Sequence, residues 1–85
     1  MKEFFFVVKD PSGIHARPAG MLVKEANKYE SSVKIEYNEK GADAKRIFAV
    51  MGLGAKCGDK LKFIIEGTDE KNAEDGLKDF LDKNL

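Results

Sequence analysis

Eighty-five residues suffice for one small domain, spanning 1–85, with one thin core. Hydrophobic residues make up 42% and charged residues 35%, as in an ordinary soluble globular chain, and the formal net charge is +0. That balance argues against nucleic acid or an anionic membrane as the main partner, and no apolar run approaches the roughly 18 residues of a membrane span.

The first apolar run, Phe4 to Val8, is too short for a signal peptide and lacks a small-residue cleavage site. Lys2 to Lys9 instead reads as a strand, since Phe and Val favour extended backbone. Phe4, Phe6 and Val8 share one face and Phe5 and Val7 the other. A chain this short is not expected to cover both faces, so Phe5 and Val7 belong on a partly open one. Asp10, Pro11, Ser12 and Gly13 are turn residues. A helix is expected over Ala16 to Tyr29, with Ala19, Leu22, Val23, Ala26 and Tyr29 facing the core at three- and four-residue spacing. Gly20 costs this helix about 1 kcal/mol relative to alanine.

Ser32 to Tyr37 alternates cleanly, with Val33, Ile35 and Tyr37 inward and Lys34 and Glu36 outward. Asn38-Glu39-Lys40-Gly41 signals a hairpin turn, followed by a short strand over Ala42 to Lys45. Arg46 to Leu53 reads as one or two helical turns, ended by Gly52 and Gly54. Ile47, Phe48, Met51 and Leu53 cannot all be buried by so short a helix. Val50 and Leu53 are expected inward. The others are either spare apolar surface or a docking patch, for which a flexible Met is well suited. The only cysteine, Cys57, has no partner for an internal disulfide; a reducing cytoplasm is its simplest setting, and it reads as an incidental thiol. Leu61 to Glu66 is the last strand. Asp69 is expected to cap a final helix over Glu70 to Asn84, with Ala73, Leu77, Phe80 and Leu81 as its core stripe and Gly76 as a weak point. This mixture of strands and helices suggests a four-stranded antiparallel or mixed sheet with helices on one face, an α+β fold.

The chemistry concentrates at Ser12-Gly13-Ile14-His15-Ala16-Arg17-Pro18-Ala19, which holds the only histidine. Pro18 is tolerated in a first helical turn. The N–H groups of Ala16 and Arg17 would be free there, and with the positive end of the helix dipole they make an anion site. The Arg17 guanidinium adds charge suited to phosphate. A neutral imidazole is a nucleophile as well as a base. Together these point to a phosphoryl group accepted on His15 and held by Arg17 and the amides. The plainer alternative is a polar side chain that caps the helix or faces water. Gly13, Arg17 and Pro18 weigh against it, because each serves the same anion-holding geometry. Ser12 either hydrogen-bonds the ring or phosphate, or is simply a turn residue. Gly20 leaves the surface beside His15 uncluttered.

The string Gly13-Ile14-His15-Ala16-Arg17-Pro18-Ala19 resembles the active-site signature of the HPr family, the histidine-containing phosphocarriers of the bacterial phosphoenolpyruvate:sugar phosphotransferase system. Lys45-Arg46-Ile47-Phe48-Ala49-Val50-Met51-Gly52-Leu53-Gly54 is similar to the family's second motif. Gly67-Thr68-Asp69-Glu70-Lys71-Asn72-Ala73 is similar to its last strand-to-helix junction. The resemblance implies an open-faced β-sandwich in the order βαββαβα, with four antiparallel strands ordered first, fourth, second, third and three helices on one face. It implies a carrier, not an enzyme, with His15 attacking through Nδ1 a phosphoryl group brought by phospho-enzyme I. The group then passes to sugar-specific acceptors of the enzyme IIA type. By the same resemblance the start of the first helix, including Gly20, and the second helix, with Ile47, Phe48 and Met51, contact these partners. A cytoplasmic monomer is expected.

No metal or organic cofactor is expected, since carboxylates are scattered and no Gly-rich nucleotide loop occurs. A lone His without a base partner or deep pocket also argues against an enzyme. Position 46 departs from many Gram-positive relatives, which carry a regulatory serine between the Lys and the Ile. Arg46 cannot accept a phosphoryl ester, so control by an HPr kinase is not expected there. The alternative function is a regulatory paralogue acting mainly by docking to partner proteins.

Overall fold

Alternation along the strands decides the layering. The computed structural model describes residues 1–85. The elements are β1 (Lys2–Val7), α1 (Ala16–Ala26), β2 (Ser32–Tyr37), β3 (Lys40–Asp43), α2 (Ile47–Gly52), β4 (Lys60–Glu66) and α3 (Glu70–Asn84). All strand pairs are antiparallel, in the order β1-β4-β2-β3. Phe6, Val33, Ile35, Leu61, Phe63 and Ile65 point to one side of the sheet. There they join Ala19, Leu22 and Ala26 of α1, Val50 of α2 and Ala73, Leu77 and Leu81 of α3 in one core. Phe4 stacks on Phe63, its cross-strand partner, with ring centroids 5.0 Å apart. The other sheet face stays open, and Phe5 and Val7 are exposed on it as expected. The fold is the open-faced sandwich with three helices that the resemblance implies. No helix is long and apolar enough to cross a membrane.

Four local expectations need correction. First, β3 begins at Lys40, not Ala42, because the hairpin closes with a two-residue loop: Tyr37 pairs with Lys40, and Asn38 and Glu39 take φ of 49° and 65°. Such a left-handed pair matches the strand twist, so the turn needs fewer residues than its composition suggests. Second, α1 stops at Ala26. Beyond it Lys28 N–H bonds to Glu25 O (3.1 Å) and Tyr29 N–H to Ala26 O (3.3 Å), a tightened last turn. The Asn27 side chain also turns back to Val23 O at 2.9 Å.

Third, Asp69 occupies the N-cap of α3 without capping it through its side chain. Its carboxylate instead accepts the N–H groups of Glu30 and Ser31, both at 2.9 Å, and the Ser31 hydroxyl, tying α3 to the start of β2. Fourth, Gly76 is more than a weak point. It is where α3 admits Tyr29, and a Cβ there would overlap the Tyr29 hydroxyl.

Candidate functional site

The turn before α1 is shaped by two residues. Asp10 accepts the Ser12 N–H through its carboxylate (2.8 Å) and the Gly13 N–H through its carbonyl (2.9 Å), a side-chain-mimicked turn. Gly13 then adopts φ of 70°, against the backbone of Ala55; a Cβ there would stand 2.6 Å from the Ala55 oxygen. That oxygen accepts the Ile14 N–H at 3.1 Å, and Ile14 is buried as the anchor of the turn.

His15 follows as the N-cap of α1, with extended backbone (φ −109°, ψ −171°) and no capping bond from its side chain. Its carbonyl starts the helix by accepting the Ala19 N–H at 2.9 Å. The amides of Ala16 and Arg17 precede that first bond and point out of the helix end; Pro18 has no N–H to offer. The imidazole is exposed, which removes the capping alternative for His15. The Arg17 guanidinium is exposed too and pairs with no carboxylate of the chain. His15 and Arg17 line one shallow open depression of about 360 Å³ with Asp10, Pro18, Met21, Lys83 and Asn84. An arrangement of this kind offers an accessible nucleophile beside two free N–H donors and an unpaired cation.

Ser12 is not brought into that depression. It is exposed, and its N–H is spent on Asp10. Sequence reasoning missed Met21, Lys83 and Asn84. Met21 lies one helical turn beyond Arg17, a spacing that could have flagged it. Lys83 and Asn84 arrive from α3, whose end is held where the Lys9 and Asp10 N–H groups meet the Leu85 carbonyl at 2.8 and 3.0 Å. No local pattern marks that juxtaposition.

The second block lies alongside. Gly20 faces Ile47 of α2; a Cβ built there would make an ordinary contact with Ile47 Cδ1 at 3.5 Å. Val50 and Leu53 are buried, Ile47 and Met51 half-buried, and Phe48 is 84% exposed. Arg46 is the N-cap of α2 and is solvent-facing; its Nε is 3.9 Å from Asp43, a contact too long and wet to contribute much. Lys45 fixes the junction more firmly, its Nζ donating to the Tyr29 carbonyl at 2.7 Å. Cys57 is exposed, 3.6 Å from the Lys9 carbonyl. No three histidine, cysteine or carboxylate side chains converge as a metal-holding group.

On an open-faced sandwich, then, an uncapped imidazole stands exposed at an open helix end, in one shallow depression with an unpaired guanidinium. The family model described as "PTS HPr component phosphorylation site" matches residues 2–83. The phosphocarrier protein HPr of Lysinibacillus sphaericus is 43% identical over 81 residues, covering 95% of this chain and 92% of that protein. The crystal structure of HPr-C-His from Thermoanaerobacter tengcongensis superposes with a TM-score of 0.93 at 37% identity, covering 99% of this chain and 94% of that one. An HPr dimer from the same organism matches at a TM-score of 0.77 and 37% identity, over 98% and 95% of the two chains. The chain belongs to the HPr family, the phosphocarrier proteins of the phosphotransferase system, which are not enzymes.

Proposed function

We propose that His15 accepts a phosphoryl group from phospho-enzyme I and passes it to sugar-specific acceptors of the enzyme IIA type. The observation that carries this reading is the exposed, uncapped His15 imidazole at the open end of α1, in one depression with the unpaired Arg17. An imidazole nitrogen, Nδ1 by family likeness, attacks phosphorus as the bond from phosphorus to the donor breaks in line. The Ala16 and Arg17 amides and the Arg17 guanidinium are the donors available to the phosphoryl oxygens. An open site with one arginine suits a carrier, which must release what it binds. Ser12, by contrast, has support only as a turn residue.

Gly20, Ile47, Phe48 and Met51 form the docking surface, beside the acceptor and carrying an exposed ring. Arg46 adds positive charge there and leaves no hydroxyl for phosphorylation at that position. The carrier works in the cytoplasm as a monomer, although a related HPr has been solved as a dimer. Transfer is tested by incubating the chain with phosphoenolpyruvate, enzyme I and an enzyme IIA acceptor. Label should reach the acceptor only when the chain is present, and not with His15→Ala. Acceptor labelling that survives His15→Ala would overturn the reading. If the wild-type chain carries no label to the acceptor yet binds its partners, and Phe48→Ala abolishes that binding, the chain is a docking protein instead.

A further inference from the structure

The acceptor turn is held from outside by the loop between α2 and β4. Its wall is the backbone of Ala55 and Lys56. The Ala55 carbonyl takes the Ile14 N–H at 3.1 Å, and both residues crowd the Cα of Gly13. That wall is in turn tied to the sheet through one carboxylate oxygen, beside backbone bonds of the same loop. Asp59 Oδ2 accepts the Lys56 N–H at 2.7 Å and the Tyr37 hydroxyl at 2.7 Å. Tyr37 ends β2, and its backbone is pinned by pairing with Lys40. The backbone of Asp59 joins the same unit, its N–H donating to Lys56 O (2.9 Å) and its carbonyl accepting from Val8 N–H (2.9 Å). The Tyr37 hydroxyl, with the Lys56 amide second, holds the Asp59 carboxyl below the usual carboxylate range, so it is ionised at neutral pH and both bonds are charge-assisted.

We propose that Tyr37 and Asp59 are positioning residues for phosphoryl transfer, setting the placement of His15 through Lys56, Ala55 and the Gly13–Ile14 turn. The proposal rests on His15 being the acceptor. Neither residue touches the imidazole, and neither lies in the docking surface, so their loss should act on the transfer step and not on partner affinity. Displacements well under 1 Å at a reacting atom are enough to slow a step that depends on alignment.

The test uses steady-state transfer from phospho-enzyme I with the carrier as varied substrate. Asp59→Ala should lower kcat about tenfold with KM little changed, since a misplacement of about 1 Å can cost up to a hundredfold. Asp59→Asn, whose amide oxygen can accept both bonds, should restore most of the loss. Tyr37→Phe should fall between. Tyr29→Phe removes a comparable hydroxyl bond, to Glu25, far from the turn, and should leave kcat unchanged even where it lowers the melting temperature. Wild-type kcat in folded Asp59→Ala and Tyr37→Phe would overturn the proposal, as would an equal loss in Tyr29→Phe. Failure of wild-type protein to label at His15 would overturn the underlying reading as well, which separates the two failures.

Discussion

The hydroxyl of Tyr29 lies against the Cα of Gly76, where no Cβ fits while Tyr29 stays in place. This contact reverses the ordinary rule for glycine in a helix. By propensity alone, Gly76→Ala in the middle of α3 would stabilise the helix by about 1 kcal/mol. Here the added methyl must displace Tyr29 from between α1 and α3. We expect Gly76→Ala to lower unfolding free energy by about 1–3 kcal/mol, the usual cost of overpacking. Urea unfolding followed by circular dichroism checks this; a gain in stability would show that Tyr29 moves aside freely.

Glu39 gives the opposite case. It holds φ of 65° in the hairpin loop although it has a Cβ. Glu39→Gly should therefore raise stability by about 1 kcal/mol, the cost of left-handed backbone for an L-residue. A lower midpoint in the same urea experiment would contradict the assigned turn.

Acid sensitivity should trace to Asp69. The Ser31 hydroxyl, then the Glu30 amide, hold its carboxyl below the usual carboxylate range. A carboxyl depressed on folding stabilises the fold above its unfolded pKa, and that contribution is lost as pH falls through the folded value. Melting temperature should thus be flat in this respect from neutral pH down to about 4 and fall below it. In Asp69→Asn the melting temperature should be lower at pH 7, and the decline below pH 4 should be shallower. Parallel curves for the two proteins would remove Asp69 from the account.

Phe48 separates docking from folding. With 84% of it in solvent, Phe48→Ala should change stability by no more than about 0.5 kcal/mol. Its affinity for enzyme I should nevertheless drop about tenfold if the ring is an interface anchor. Calorimetric titration with enzyme I measures the affinity and urea unfolding the stability, on one preparation of wild type and variant; equal affinities would remove Phe48 from the interface.

What could be read from the chain followed the range of the interactions. The alternation of Ser32–Tyr37 set β2 to the residue, and the apolar spacing of α3 set its core stripe, because both are local periodicities. His15 and Arg17 were legible for the same reason: the turn, the open helix end and the guanidinium lie within a few residues. The shift of β3 was hidden because a hairpin with Asn-Glu at its tip carries no glycine to announce the left-handed pair. Asp69 looked like a cap because capping is the local use of that residue; its partners, Glu30 and Ser31, lie far back in sequence. The same distance concealed Gly76 against Tyr29, Lys83 and Asn84 beside His15, and Asp59 under Tyr37. Each is a tertiary pairing with no periodic trace.

The measurement that most directly tests the central claim is intact mass of the chain after incubation with enzyme I and phosphoenolpyruvate, before and after mild acid. The account predicts a single added phosphoryl group that acid removes and that His15→Ala never acquires. An unmodified mass with active enzyme I and folded carrier, or a label that His15→Ala retains, would contradict it.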